Sequence, residues 1–154
     1  RQKNEKFFTV TDSSMTRFNI TLKEGVEFVL FAIKDMLGGE IYIPKLKSYY
    51  LKDLIKAVSK KPLIKYIGMR PGEKKHEEMI SINDASNTVE FKNHYVIVPN
   101  SENYYLRINE YLKIKKNAKK VKNDFSYNSS SNSKFLTVKE LEKIIRDNIK
   151  DIEN

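Results

Sequence analysis

Residues 21–44 read Thr-Leu-Lys-Glu-Gly-Val-Glu-Phe-Val-Leu-Phe-Ala-Ile-Lys-Asp-Met-Leu-Gly-Gly-Glu-Ile-Tyr-Ile-Pro, and they contain a helix, its stop and a strand in one run. Thr21 and Glu24 have capping-box spacing: the threonine hydroxyl takes the Glu24 backbone N–H, and the glutamate reaches back to the N–H of Thr21. Beyond them Leu22, Val26, Val29, Leu30, Ile33 and Leu37 recur at helical spacing, with Lys23, Glu27 and Lys34 off the stripe. Gly38-Gly39 supplies a left-handed position to end the helix. Ile41-Tyr42-Ile43 then reads as a short, buried strand before Pro44. Helix and strand in such close succession predict an α/β or mixed α+β domain.

The pattern extends in both directions. Phe7 to Asp12 alternates weakly and reads as a short strand opening into a loop. Toward the C-terminus the spacing predicts a helix from about Tyr50 to Ser59, with Leu51, Leu54, Ile55 and Val58 on one face. A strand from Leu63 to Met69 is stopped by Arg70-Pro71-Gly72, and Pro71 suits the first turn of a helix over Glu73 to Ile80. Thr88 to Phe91 and His94 to Val98 read as strands joined at Lys92-Asn93. After Pro99 the composition shifts: residues 100–134 contain seven Asn, and Lys113 to Lys122 contain six Lys. Ser126 to Lys134 reads as a polar linker, and Thr137 with Glu140 caps a last helix carrying Leu141, Ile144, Ile145, Ile149 and Ile152. The expected organisation is an α/β body over residues 1–99 and a lysine- and asparagine-rich tail over 100–154, mostly irregular and ending in a helix.

The whole chain has 154 residues, 29 Lys+Arg against 20 Asp+Glu and a net charge of +9, long enough to bury a real core. It has no Cys, which removes disulfides, thiolate nucleophiles and Cys-ligated zinc and fits a reducing cytoplasm. No apolar run approaches the ~18 residues of a membrane span, so no membrane partner is expected. His76 and His94 are the two histidines, and His76-Glu77-Glu78-Met79 lacks the second histidine of a helical zinc motif, so no metal ligand is expected. The Lys113 to Lys122 run offers phosphate affinity, but no aromatic residues interleave with it as stacking platforms. A solvated face is expected there, with nucleic acid or another polyanion as the lesser alternative. Tyr111 and Lys115 stand at the spacing that sets a phenol and an ammonium on one helix face for acid–base work. No glycine-rich strand–turn–helix precedes them, and the pair reads as coincidence.

Two constellations point to ligand chemistry. The first is Met15-Thr16-Arg17-Phe18, directly after the Thr11-Asp12 loop. An arginine there presents a planar fork of donors to a phosphate, or alternatively pairs with a local carboxylate. The second is Met69-Arg70-Pro71-Gly72-Glu73-Lys74 at a strand end, where a following helix would favour an anion. Arg70 would hold a phosphate, and the Glu73 carboxylate would accept from a vicinal diol such as a ribose. The alternative is a plain turn whose Arg70 and Glu73 make an exposed ion pair of little worth.

Taken together these segments resemble a known family. Met15-Thr16-Arg17-Phe18-Asn19-Ile20-Thr21-Leu22, Gly39-Glu40-Ile41-Tyr42-Ile43-Pro44-Lys45, Gly68-Met69-Arg70-Pro71-Gly72-Glu73-Lys74-Lys75-His76-Glu77 and His94-Tyr95-Val96-Ile97-Val98-Pro99 resemble the extended short-chain dehydrogenase/reductases that act on nucleotide sugars. Within that group they are similar to the inverting, 5-epimerising UDP-N-acetylglucosamine 4,6-dehydratases of pseudaminic acid synthesis, in the CapD-like polysaccharide biosynthesis family. Asp124-Phe125-Ser126-Tyr127-Asn128-Ser129-Ser130-Ser131-Asn132 is similar to that family's C-terminus.

The resemblance implies a Rossmann-type fold of which this chain is the C-terminal, substrate-binding part. Family members carry NADP on an N-terminal domain with a glycine-rich loop and the catalytic Tyr-x-x-x-Lys. The five glycines here, at 25, 38, 39, 68 and 72, do not form such a loop. The chain is therefore expected to begin inside a longer enzyme, to carry no catalytic residue and no NADP of its own, and to be inactive alone. In the complete enzyme NADP would take hydride from C4, water would leave across C5–C6, and hydride would return at C6 with inversion at C5. Arg70 and Glu73 match positions that hold the UDP moiety, and Arg17 and Thr11 match the loop that approaches the diphosphate and sugar. Asn19 stands where several relatives have tryptophan. A UDP-sugar substrate, a homo-oligomeric full-length enzyme and a cytoplasmic location are implied. The alternatives are a retaining dehydratase or 4-epimerase, or a non-catalytic nucleotide-sugar or polyanion binding module.

Overall fold

The computed structural model describes residues 7–99 and 107–152, with side chains through Asn148. In chain order the elements are β1 (Phe8–Val10), β2 (Thr16–Asn19), α1 (Leu22–Asp35), β3 (Ile41–Pro44), β4 (Lys47–Tyr50), α2 (Leu51–Val58), β5 (Ile64–Tyr66) and β6 (Glu78–Ile80). A 3-10 helix (Ile82–Asn87), β7 (Thr88–Glu90), β8 (His94–Ile97), α3 (Ile108–Ile114), β9 (Lys119–Lys120), β10 (Tyr127–Asn128) and α4 (Val138–Ile152) follow. This is the expected mixed α/β class. The residues group into two compact units that interleave along the chain: one from the segments up to Asn19, Leu46–Glu77 and Asn128 onward, the other from Ile20–Lys45 and Glu78–Tyr127. A boundary read near residue 100 falls at 100–106, outside the described residues.

In the first unit β1 pairs in parallel with β5, Phe8 opposite Ile64. β2 runs antiparallel to β4, Thr16 opposite Tyr50 and Arg17 opposite Tyr49. Helices α2 and α4 pack together, with Ile55 and Leu141 buried. The tail is built into this unit: Ser48 donates its N–H to Lys134 O at 2.8 Å and accepts from Leu136 at 2.7 Å. Val10, Met15 and Leu136 are buried alongside.

The second unit is a four-stranded sheet in the order β3-β8-β7-β9. Its core is Val89, Val96, Val98 and Tyr111, with Tyr42, Ile108 and Leu112 packed against them. The capping box at Thr21 forms as read, Glu24 N–H to Thr21 Oγ1 at 3.2 Å and Thr21 N–H to Glu24 Oε2 at 2.8 Å. Helix α1 nevertheless stops at Asp35, with Met36 extended as its C-cap. The left-handed Gly38 and Gly39 lie beyond it, in a loop tied by Glu40, whose carboxylate accepts the N–H groups of Leu37 and Gly38.

One expectation fails. Glu73 to Ile80 is not a helix: Arg70–Glu73 is a closed turn and Glu78–Ile80 is a strand. Gly72 at φ 78° turns the chain left-handed directly after Pro71, which a helical first turn does not tolerate. The anion site expected at a helix N-terminus therefore has no helix behind it. No helix among the described residues is long and apolar enough to cross a membrane.

Candidate functional site

Both sequence constellations lie in the first unit, and the fold stitches them together. Asp12 opens the earlier loop as a local cap: its Oδ1 accepts the Ser14 N–H at 2.7 Å and the Ser14 hydroxyl. These bonds, with Lys75 nearby, hold the Asp12 carboxyl below its ordinary range. Met15 anchors the loop in the core, and Thr16 starts β2. The later loop is shaped by Gly68 and Gly72, both at φ 78°, around Pro71 with its fixed φ. The Glu73 N–H closes the turn on Arg70 O at 3.1 Å.

The stitches run the length of both loops. Thr11 Oγ1 donates to Glu73 Oε1 at 3.0 Å, and the Arg70 N–H donates to Glu73 Oε2 at 3.2 Å. Lys75 Nζ lies 3.6 Å from Asp12 Oδ2, and the Thr16 N–H donates to Lys75 O at 3.2 Å. Arg17 spans the seam. Its Nη1 donates to Thr16 O and Lys75 O at 2.7 and 3.1 Å, its Nη2 to Lys74 O at 3.0 Å, and its Nε pairs with Glu77 Oε1 at 3.2 Å. Those contacts use most of the five N–H groups of a guanidinium.

Arg70 differs. Its guanidinium is exposed and has no carboxylate partner among the described residues. Arg70 and Glu73 do not form an ion pair; the carboxylate holds the Arg70 backbone instead. The turn thus presents an unspent planar cation on a fixed backbone, the arrangement that suits a bidentate grip on a phosphate. Thr11, Arg70 and Glu73 are joined directly, and Arg17 reaches the same loop through Lys74 O, Lys75 O and Glu77.

Sequence alone gives Ser129 no place beside these loops. Ser129 is buried, donates its N–H to Glu77 O at 2.8 Å and accepts the Glu77 N–H on Oγ at 2.9 Å. The Ser/Asn stretch was expected to be a linker, and its signal lay in Asn128, whose Oδ1 accepts from the N–H groups of Ser130 and Ser131 as turn-forming asparagines do.

Other candidates resolve structurally. Tyr111 is fully buried, and burial pushes its phenol upward. Lys115 Nζ binds Asp35 Oδ1 and Asp35 O, each at 2.7 Å, while Tyr42 donates to Asp35 Oδ2 at 2.8 Å. Burial pushes the Asp35 carboxyl up, but the Lys115 and Tyr42 bonds to it outweigh that and leave it below its usual range. The Tyr-x-x-x-Lys spacing therefore serves packing. Among the described residues no three His, Asp or Glu side chains gather as metal ligands. A dinucleotide finds no cradle among them either: Gly38, Gly39, Gly68 and Gly72 lie in loops, Gly25 lies inside α1, and none opens a strand-to-helix phosphate loop.

A family model described as polysaccharide biosynthesis protein matches residues 1–99. UDP-N-acetylglucosamine 4,6-dehydratase (inverting) of Campylobacter jejuni serotype O:2 is 43% identical over 142 residues, covering 91% of this chain and 42% of the relative. UDP-glucose 4-epimerase of Rickettsia bellii is 33% identical over 99 residues, 62% of this chain and 29% of the relative. The X-ray structure of Pen from Bacillus thuringiensis matches with a TM-score of 0.72 at 30% identity, covering 96% of this chain and 43% of that one. The chain spans well under half the length of each of these relatives.

Proposed function

The chain belongs to the polysaccharide biosynthesis protein family, and from that premise we propose that it is the substrate-binding portion of a nucleotide-sugar 4,6-dehydratase, acting on UDP-N-acetylglucosamine with inversion at C5. The observation that carries this reading is the exposed Arg70 guanidinium, without a carboxylate partner among the described residues, on a turn that Thr11 and Glu73 hold in place. Arg70 grips the diphosphate. Glu73 keeps the Arg70 backbone in place and turns its carboxylate toward the ribose hydroxyls. Arg17 fixes the seam between the loops beside the sugar. The 43% identity to the inverting dehydratase supports this choice over the 4-epimerases, which match at 33% over 62% of the chain or 29% over 93% of it.

What these residues do is bind and orient, the share of catalysis that comes from holding reactants in place. NADP, which would supply the hydride chemistry when bound, has no matching residues here, so redox and proton transfer are assigned to the rest of a complete enzyme. That enzyme is proposed to be a homo-oligomer working in the cytoplasm, with no nucleic-acid or membrane partner.

The test is calorimetry of UDP with this chain. Weak binding is expected, and Arg70→Ala should weaken it at least about tenfold, on the scale of a lost charge-assisted pair to phosphate. Unchanged affinity would remove Arg70 from the site. With NADP and UDP-N-acetylglucosamine added, the chain alone should form no product; turnover would contradict the division of labour.

A further inference from the structure

We infer that Ser129, Thr16 and the half-buried His76 form a latch that sets Arg17 and the Arg70–Glu77 segment for nucleotide binding, which makes Thr16 and Ser129 positioning residues of the site. The inference rests on the reading of Arg70 as the diphosphate grip. It begins with a juxtaposition of three distant segments: Thr16 Oγ1 lies 2.7 Å from Ser129 Oγ, 113 positions along the chain, and 2.7 Å from His76 Nδ1, 60 positions along. Thr16 and Ser129 are both buried.

The bonds join into a circuit that ends on Arg17. The Ser129 hydroxyl also reaches Thr16 O at 3.1 Å, the same carbonyl that accepts Arg17 Nη1 at 2.7 Å. Ser129 Oγ accepts the Glu77 N–H, while the Glu77 side chain receives Arg17 Nε. One hydroxyl therefore fixes the strand before Arg17 and the backbone of its carboxylate partner together. Deleting that hydroxyl strands the Glu77 N–H in a part-buried place. An unpartnered buried donor is unfavourable enough to drive local rearrangement. The loop that shifts is the one that carries Arg70. Small displacements of this kind are felt strongly where a ligand must meet several fixed groups.

The latch also gives the C-terminal segment a purpose beyond packing. Asn128 holds the turn that presents Ser129, and Asn132 Nδ2 fastens its far side to Leu46 O at 2.8 Å and Ser48 Oγ at 3.0 Å. Ser129 is thereby delivered to the site on a rigid turn.

The test measures UDP affinity of the 154-residue chain and its Thr16→Val, Thr16→Ser and Ser129→Ala variants by calorimetry, well below their melting temperatures. Thr16→Val and Ser129→Ala should bind about tenfold more weakly, and Thr16→Ser, which keeps the hydroxyl, should stay within about twofold. On an Arg17→Ala background the Ser129→Ala loss should largely vanish, because residues acting through one another are not additive. If Thr16→Val does not fold, Ser129→Ala decides. Wild-type affinity in a folded Ser129→Ala variant, or fully additive losses, would overturn the latch. If the wild-type chain binds no UDP, the diphosphate reading falls instead. The latch is then judged by the Arg17 Nε–H resonance: protection from exchange in wild type that is lost in Ser129→Ala supports it, and equal exchange overturns it.

Discussion

Arg70 and Arg17 have the same side chain in opposite circumstances. Arg17 is spent on three backbone carbonyls and one carboxylate, while the Arg70 guanidinium meets none among the described residues. Their sequence neighbourhoods separate them only in part. Pro71-Gly72 announces a turn around Arg70, but apart from Thr16 O the partners of Arg17 lie 57 and more positions away, a distance that no local pattern spans. The same limit hides His94. Its ring stacks on Phe91 at 4.4 Å and on Tyr42 at 5.5 Å, with Phe31 edge-on at 5.1 Å. Its Nε2 is buried with no hydrogen-bond partner among the described residues. Burial holds this imidazole below the usual histidine range; Asp35 pulls the other way, and Lys45 and Lys115 add to the depression. The neutral form is favoured by folding, so its contribution is whole above the unfolded value of about 6.5 and is lost as pH falls below it toward the folded value. The melting temperature should drop between pH 7.5 and pH 5, and His94→Phe should flatten that dependence. An identical slope in both proteins would show that other groups cause it.

At the scale of elements, sequence was most informative where a short-range bond starts a helix. Thr21-Glu24 and Thr137-Glu140 form their capping pairs and begin α1 and α4 at Leu22 and Val138. Helix α3 escaped notice because nothing in Arg107 to Ile114 has that signature except Glu110, which accepts the Arg107 N–H. Its seven residues depend on the burial of Tyr111, a tertiary cause. Residues 73–80 were misread because proline at a first helical turn and proline before a left-handed glycine look alike until φ of Gly72 is known. The cap on α4 can be weighed directly. The Thr137 backbone and hydroxyl, with Lys47, hold the Glu140 carboxyl down at about 2. A depressed carboxyl stabilises above its unfolded value and loses that contribution as pH falls from about 4.5 toward 2. Thr137→Ala should cost about 1 kcal/mol in urea denaturation at pH 7, and should raise the Glu140 midpoint seen by carbon NMR. A midpoint that stays near 2 would assign the shift to the residue-137 backbone N–H, which alanine keeps, and to Lys47.

For the molecule as a whole, the long apolar stripe of α1 is not where the core lies. Helix α1 buries no residue completely; Leu22 is 84% exposed, Ile33 62% and Val29 56%. The contacts it does make come from Phe28 and Phe31, whose rings meet His94, and from Asp35 at its end, which holds Tyr42 and Lys115. Periodicity reported that the helix is amphipathic, but an apolar stripe carries no record of which surface lies against it. A contiguous exposed apolar strip of this kind favours association, and it falls on a chain that covers 42% of the length of its dehydratase relative. The double variant Val26→Glu, Ile33→Glu places charge at i and i+7 on the strip without touching Phe28 or Phe31. Sedimentation velocity should show less concentration-dependent association than wild type. Urea denaturation should shift by no more than about 0.5 kcal/mol per substitution, the scale of changes at exposed positions. A loss of several kcal/mol would mean that these side chains are packed in the folded chain and that α1 sits differently from the arrangement described; unchanged association would remove the strip as its cause.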